Sequence, residues 1–522
     1  HTSPLIFTHL HVSSGYSFKY GTASAGQLVE RAATFGMKAL ALTDRDGMAG
    51  AIRFVHESES QGILPILGVN LSFLQKKYRI TLLAQGGSLP ALYRLVSAVN
   101  HASATGGGEK VLTFEILEKF SQYSSQILAL HGADSYLAAT IAGRRNEEAL
   151  SIFNSTRELF ADQALEITSH RAKGDAPFST SHAAKSLAFA RRQNIPALLT
   201  NAVRMLDRND GPVADVLDSA RLLVPLHERH VERSNSEAYL KSEREMVVIA
   251  DEVARAAGES NGMALLRTTA EWAERTALSP RRDVGIGSIH LPDASALGAQ
   301  RHEELYEKLR SRSEAGLHRY SGALSVQAAS RLEEELATIR GLGYESYFLA
   351  VADIADIARA KGIRVAARGS GAGSLVCYLL GISGVEPISQ GLLMERFCSP
   401  LRNELPDIDI DVESARRLEI YDAIFARFGA ERTATVAMVE TYRARHAFRD
   451  VGAALGISPM EIDLIAKSLP HIRARNIGKA LENLPELKNL KLDTPVTKAA
   501  IHLAERLDGL PRHLSMHPCA VL

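Results

Sequence analysis

Short apolar runs alternate with stretches of helical period in the first part of the chain. The runs fall at residues 5–11, 39–43, 63–67, 78–84, 127–131, 164–168 and 197–200. Between them, residues 25–35, 50–60 and 181–192 carry apolar positions at helical spacing; Leu28, Ala32 and Phe35 share one side and Gly36 stops the first helix. Strands separated by helices predict a parallel-rich α/β architecture, which periodicity leaves open as a closed barrel or an open sheet. Residues 212–275 read as mostly helical, and the Pro, Gly and Arg of residues 280–287 as a linker. Three long helices are predicted next, over 301–318, 326–342 and 347–361; the second places Ala329, Leu332, Leu336 and Ile339 on one stripe. A short strand over 363–367 runs into a glycine-rich turn and an apolar helix starting near Leu375. A second short strand reaches Val412, and a charged helix over 416–428 follows, ended by Gly429. Residues 431–508 are largely helical, interrupted by Pro470 and Pro485, and residues 514–522 begin another strand.

A chain of 522 residues exceeds one hydrophobic core and predicts three to four domains. Hydrophobic residues make up 46% and charged residues 23%, which excludes disordered and fibrous classes. The 60 basic residues balance the 60 acidic ones, so a general nucleic-acid coat is not indicated, although a local basic channel is compatible with that balance. Cys377, Cys398 and Cys519 are too few and too scattered for a disulfide framework or a thiolate zinc site, which points to a reducing cytoplasm. No apolar stretch has membrane-spanning length. The start, His1-Thr2-Ser3-Pro4, is not a secretory signal and reads as a processed or engineered end.

Leu405-Pro406-Asp407-Ile408-Asp409-Ile410-Asp411-Val412 is the stretch richest in chemistry. In a strand, Asp407, Asp409 and Asp411 share one face while Ile408, Ile410 and Val412 turn to a core, and Pro406 can open the strand. Crowded carboxylates repel, and a divalent cation with a preference for oxygen, magnesium or manganese, neutralises them. Two such ions about 4 Å apart activate a hydroxyl and stabilise a leaving pyrophosphate. Asp-x-Asp alone also occurs in calcium loops and glycosyltransferases. Upstream, Arg368-Gly369-Ser370-Gly371-Ala372-Gly373-Ser374 predicts a phosphate cradle at a helix N-terminus, without the Lys of a Walker motif; the plainer reading is a tight strand-to-helix turn. Arg396 and Arg402 flank the approach to the carboxylates. Arg443, Arg445 and Arg449 form one basic cluster, and Lys467, His471, Arg473, Arg475 and Lys479 another. Both are spaced to meet duplex phosphates, a solvated face being the alternative. His9 and His11 have metal-ligand spacing, but the loops that should complete a centre supply Arg45, Asn70 and Arg204.

Taken in order, several segments resemble the alpha subunits of bacterial replicative DNA polymerases, the C family, and within it the error-prone, damage-associated branch. They are Leu342-Gly343-Tyr344-Glu345-Ser346-Tyr347-Phe348-Leu349, the glycine-serine turn, Glu395-Arg396-Phe397, Pro406 to Asp411, Arg449-Asp450-Val451-Gly452 and Arg512-His513-Leu514-Ser515-Met516-His517. The resemblance implies an α/β multidomain chain. Residues 1–275 would be a polymerase-and-histidinol-phosphatase (PHP) domain built as a distorted (β/α)7 barrel. Residues 276–430 would be a nucleotidyltransferase-type palm, 431–508 a helical thumb, and 509–522 the start of the palm's re-entry. It implies catalytic Asp409 and Asp411 holding two magnesium ions, with Asp407 as their neighbour. Nucleotide contacts would come from Arg368, Gly369, Ser370, Gly373, Ser374 and Arg396, and duplex contacts from Arg443, Arg445, Arg449, Lys467, Arg473 and Arg475. Primer–template DNA and dNTP are the implied partners, with a sliding clamp and repair-polymerase accessory proteins engaged through regions absent here.

This sequence departs from the family pattern in its first domain. The His-x-His-x-His run reads His9-Leu10-His11-Val12-Ser13. Family ligand positions hold Tyr20, Arg45 and Asn70, and the late Asp-x-His is Ala202-Val203-Arg204. A dismantled metal centre is expected. The family's third catalytic carboxylate lies past the segment His517-Pro518-Cys519-Ala520, so the isolated chain is expected to be inactive and the parent to be an error-prone DNA polymerase. The alternative is a non-catalytic, polymerase-derived scaffold or DNA-binding protein of repair. Elemental analysis of the purified chain is expected to find no stoichiometric manganese or zinc; a bound equivalent on residues 1–275 overturns the dismantled centre.

Overall fold

Six of the predicted apolar runs become strands of one mixed sheet, β1 (Ala39–Leu42), β2 (Leu64–Phe73), β3 (Gln75–Leu83), β5 (Leu128–His131), β6 (Asp162–Ile167) and β7 (Ala197–Leu199). β4 (Val111–Leu112) joins them without having been predicted, and the described residues 7–11 of the first run form no strand. The computed structural model describes residues 7–106, 109–401, 404–490 and 492–522. Strand order is β1-β2-β3-β5-β6-β7, with β4 beside β2. Pairs β1–β2, β5–β6 and β6–β7 are parallel, whereas β3 runs antiparallel to both β2 and β5. β1, β5 and β7 are buried along their whole length, which is why they read as unbroken apolar runs. Residues 9–13 bond to both ends of the strand order. The His9 and Val12 carbonyls accept from Ala41 and Thr43, while Val203 N–H donates to His11 and Ser13 N–H to Val203. The sheet is therefore curled.

β2 runs six residues past the predicted 63–67. Gly68 and Asn70 look like strand breakers, yet a Cβ on Gly68 would stand 2.3 Å from the Leu82 carbonyl oxygen, so glycine is what lets β3 approach. Leu74, with φ 64°, then turns the chain directly into β3. The helix Ala25–Thr34 is fixed by a reciprocal cap between Ser24 and Gln27 and buries Leu28, Val29 and Ala32. Helices Thr180–Gln193, Glu243–Ala256 and Met263–Thr276 contribute Leu187, Ile249, Val253 and Leu265 to a core with Leu165, Ile167 and Leu199 of the sheet.

The chain divides into two units, His1–Ile286 with Val439–Ser515, and Gly287–Met438 with Met516–Leu522. In the first, the helix Gly211–Leu222 shares a core with Ala444–Ala454, Pro459–Ser468, Ile477–Asn483 and Pro495–Arg506, through Val213, Val216 and Leu217 against Phe448, Val451 and Ile465. In the second, helices His302–Ala315, Ala323–Leu342 and Glu345–Ala360 pack with the antiparallel pair β8 (Val365–Arg368) and β9 (Asp409–Val412). β10 (Thr435–Thr441) pairs with β11 (Pro511–Val521), and the boundary between units falls inside both strands. No helix among the described residues is long and apolar enough to cross a membrane.

Arg204 and Asp218 form an ion pair at 2.6 Å with side chains 3% and 0% exposed. Asp218 also accepts from Arg221 and from the Glu232 N–H. Asp218→Ala would strand a buried guanidinium. We expect a loss of roughly 3–5 kcal/mol in urea unfolding; a loss below about 1 kcal/mol refutes that role.

Candidate functional site

β8 and β9 pair with Ala366 opposite Asp411 and Arg368 opposite Asp409. Exposure alternates from Asp407 to Val412, as a strand with one solvated face requires. Ile408 and Ile410 pack on the main core of their unit, and Val365 and Val412 on a smaller one with Ile420 and Ile424. The solvent face therefore presents Ala366 and Arg368 from one strand and Asp409 and Asp411 from the other, with the exposed Arg364 and Glu413 just beyond their ends. Arg368 reaches diagonally to Asp411, Nη2 to Oδ1, at 3.4 Å. Ala366, opposite Asp411, leaves open space, and a hollow of ≈ 730 Å³ borders Asp411, lined also by Arg359, Gly362, Arg364 and Glu413. The strand begins at Asp409, so Asp407 precedes it. Asp407 is exposed, while the Ile408 N–H donates to the Tyr347 hydroxyl at 3.3 Å. Burial, then the nearby charge of Asp407, pushes the Tyr347 phenol up to about 12.

The glycine-serine turn differs from the predicted cradle. Arg368, Gly369 and Ser370 are exposed next to Asp409. Ser374 is fully buried, and its hydroxyl donates to Glu335 at 3.0 Å while accepting from the Cys377 N–H. The N–H groups of Leu375 and Val376 are taken by the same Glu335 carboxylate at 2.9 and 3.0 Å. Gly373 is buried too; a Cβ there would stand 2.7 Å from the Leu393 carbonyl oxygen. Ser374 and Gly373 are thus corrected from ligand contacts to parts of the packed turn. The helix after it, Leu375–Leu379, is a turn and a half whose free donors are already used. Arg396 stands exposed in the turn Met394–Arg396, and Arg402 lies outside the described residues.

The basic positions are less free than their sequence suggests. Arg449 and Lys467 share Asp463 at 2.7 and 2.6 Å. Arg473 and Arg475 share Asp508 at 2.9 and 3.8 Å, and Arg445 donates to the Leu469 carbonyl. Arg443 is exposed at the start of the helix Ala444–Ala454. Each aspartate thus serves two cations.

In the first unit, His9 is buried and contacts the Lys241 carbonyl through Nε2 at 2.8 Å. His11 lies 2.5 Å from Glu166; burial opposes its protonation, but the charge of Glu166 and that hydrogen bond raise its pKa. The Ser13 N–H is spent on the Val203 carbonyl, and Ala202 sits in the left-handed region at φ 41°. The Tyr20 ring carries guanidinium groups over it, Arg45 at 3.5 Å and Arg204 at 4.1 Å from its centre, with Arg221 further off at 5.6 Å. Arg45 pairs with Glu232 at 3.0 Å. Asn70 donates to Thr81 and accepts from Arg79, which also pairs with Asp46. Among the described residues no group of three or more His, Cys, Asp or Glu is arranged to hold a metal ion. The sequence reading missed Glu166, Arg79 and Glu335. Glu166 interrupts an apolar strand and Glu335 sits inside the stripe of Leu332, Leu336 and Ile339, which are the signals that point to them.

Two family models match separate stretches of the chain. Residues 307–522 match the family model described as the bacterial DNA polymerase III alpha NTPase domain, and residues 9–170 match the PHP domain. An error-prone DNA polymerase of Symbiobacterium thermophilum is 33% identical over 533 residues, covering 98% of this chain and 47% of that protein. Those of Pseudomonas syringae pv. syringae and Ralstonia pickettii are 31% and 32% identical over 524 residues, covering 98% of this chain and 46% of each. The chain spans about half the length of these curated relatives.

Burial holds the His9 imidazolium down at about 4. A depressed histidine contributes stability that is complete above its unfolded value near 6.5 and lost as pH falls toward 4. Urea midpoints are therefore expected to drop between pH 7 and 4.5, with His9 supplying roughly 3 kcal/mol of the change. His9→Gln should flatten that slope; equal slopes in variant and wild type rule His9 out as its source.

Proposed function

We propose, because the chain belongs to the bacterial DNA polymerase III alpha family and matches the N-terminal portion of its error-prone branch, that it forms the N-terminal part of an error-prone, template-directed DNA polymerase. The observation that carries the reading is the solvated face of the β8–β9 ladder, where two carboxylates stand between arginines beside an exposed glycine-serine turn. On this reading, residues 1–275 are the PHP barrel, 276–430 the palm, 431–508 the thumb and 509–522 palm re-entry.

Asp409 and Asp411 suit magnesium, which takes one or two carboxylates and completes its shell with water and substrate phosphates. They would hold it, and Asp407 would be its neighbour. When bound, the metal supplies Lewis acidity and charge neutralisation at the transferring phosphoryl group. The chain's own residues orient the reactants. Arg368 bonds diagonally across the ladder and can exchange Asp411 for a phosphate oxygen; an exposed pair at 3.4 Å holds it only weakly. The Ser370 hydroxyl and the Gly369 backbone lie exposed where a triphosphate could approach within hydrogen-bond distance. Arg364, on the far side of Asp411, adds charge beside the hollow, and Arg396 would meet the approaching nucleotide.

Arg443, Arg445, Arg449, Lys467, Arg473 and Arg475 would contact the primer–template backbone, the last four trading shared aspartates for phosphates. Such contacts make affinity fall with salt. A sliding clamp and repair-polymerase accessory proteins are the further partners of this reading. The scaffold alternative rests on the first unit, where arginines occupy the expected ligand positions.

Primer extension by the complete polymerase tests the proposal. Asp409→Ala or Asp411→Ala should lower kcat by about a thousandfold, the effect of several kcal/mol of lost charge stabilisation, with duplex binding retained. Undiminished extension by either variant sinks the polymerase assignment.

A further inference from the structure

The exposed part of the glycine-serine turn is two residues long, and what fixes it lies beneath. At its start, Arg368 pairs with Asp409 in the ladder. At its end stands an arginine–glutamate pair on one face of the helix Ala323–Leu342. Glu335, 2% exposed, accepts from the Ser374 hydroxyl and from the Leu375 and Val376 N–H groups. Arg331 donates to Glu335 at 3.0 Å, to the Gly373 carbonyl at 2.6 Å and to the Leu392 carbonyl at 2.8 Å. Five hydrogen bonds from one pair thus end on the main chain of the turn, on the side chain of its last serine, or on the strand of chain beneath it.

Burying this carboxylate among Leu332, Leu336, Ile339, Leu375 and Val376 is expensive, and apolar residues of equal volume pack such a space at no such cost. What a leucine at 335 cannot do is hold the Leu375 and Val376 N–H groups and the Ser374 hydroxyl at set positions. The clamp leaves Ser370 and Gly369 anchored on both sides, at the ladder and at Gly373. A short turn with both ends fixed has little freedom, so Gly369 and Ser370 are held in place at the Asp409 end of the ladder.

We infer that Glu335, with Arg331, is a positioning residue for the incoming nucleotide: it sets the turn that presents Ser370 and Gly369 beside the metal-binding carboxylates. The inference rests on the polymerase reading. It touches neither substrate nor metal and acts through the turn alone.

The test uses the complete polymerase with Glu335→Gln, which keeps the shape but turns an amide donor toward backbone N–H groups. KM for the incoming dNTP should rise at least tenfold. The kcat should fall less than threefold and primer–template affinity should stay near wild type, while the melting temperature drops with the weakened Arg331–Glu335 pair. Combined with Ser370→Ala, the two KM effects should be less than multiplicative, because both work on one turn. Glu335→Asp, which keeps the charge, should recover part of the loss. An unchanged KM in folded Glu335→Gln, or fully multiplicative effects in the double variant, overturns the inference. Should Glu335→Gln fail to fold, Arg331→Lys takes its place under the same criteria, since a point charge cannot bridge both carbonyls. Full activity of Asp409→Ala would instead overturn the polymerase reading, leaving the two failures distinguishable.

Discussion

The two-residue alternation of β9 against β8 is the constraint on which the candidate site depends. Ile408, Ile410 and Val412 cannot be buried without turning Asp409 and Asp411 outward, because a strand offers no third direction. A slip of one residue would put aspartates into the core and isoleucines into water. Hydrophobic burial therefore enforces the placement of the acids, and the acids need no mutual attraction to stay together. The partner strand supplies opposite charge in register at Arg368 and a gap at Ala366. The packing that holds the unit together is thus the same packing that aims its chemistry.

Much of this was legible in the sequence wherever one period ran uninterrupted. The apolar runs that became β1, β5, β6 and β7, and the long helices Ala323–Leu342 and Glu345–Ala360, follow directly from spacing. The acidic face of β9 followed from alternation. The hairpin of β2 and β3 was hidden because Gly68 and Asn70 mimic a stop, and only the nearness of the Leu82 carbonyl shows why a glycine belongs inside the strand. The turn was half legible. Its glycines announce a close approach, but their neighbour is protein: Gly373 abuts Leu393 and the helix start faces Glu335. Local sequence cannot reveal that a carboxylate 39–41 residues earlier in the chain has already filled an inviting pocket of donors. Likewise, the basic clusters are plain as composition, whereas their sharing of Asp463 and Asp508 is a fact of tertiary contact.

Both units rely on arginine where main chain or aromatic surface must be held. Arg331 grips carbonyls, Arg204 joins Asp218 to the Tyr20 and Ala214 carbonyls, and Arg45 lies flat on a ring. A planar, always charged fork suits this work, since it stacks and donates at once.

The arrangement of Arg45, Tyr20 and Arg204 also bears on which substitutions this region tolerates. Each guanidinium has its own acid, Glu232 for one and Asp218 for the other. Replacing either arginine would weaken the pairing of that acid, and replacing the tyrosine would remove the ring that both cations rest on. The three side chains are therefore interdependent: a change at one leaves a charge or a ring face uncovered, and a second change elsewhere in the group must make it good.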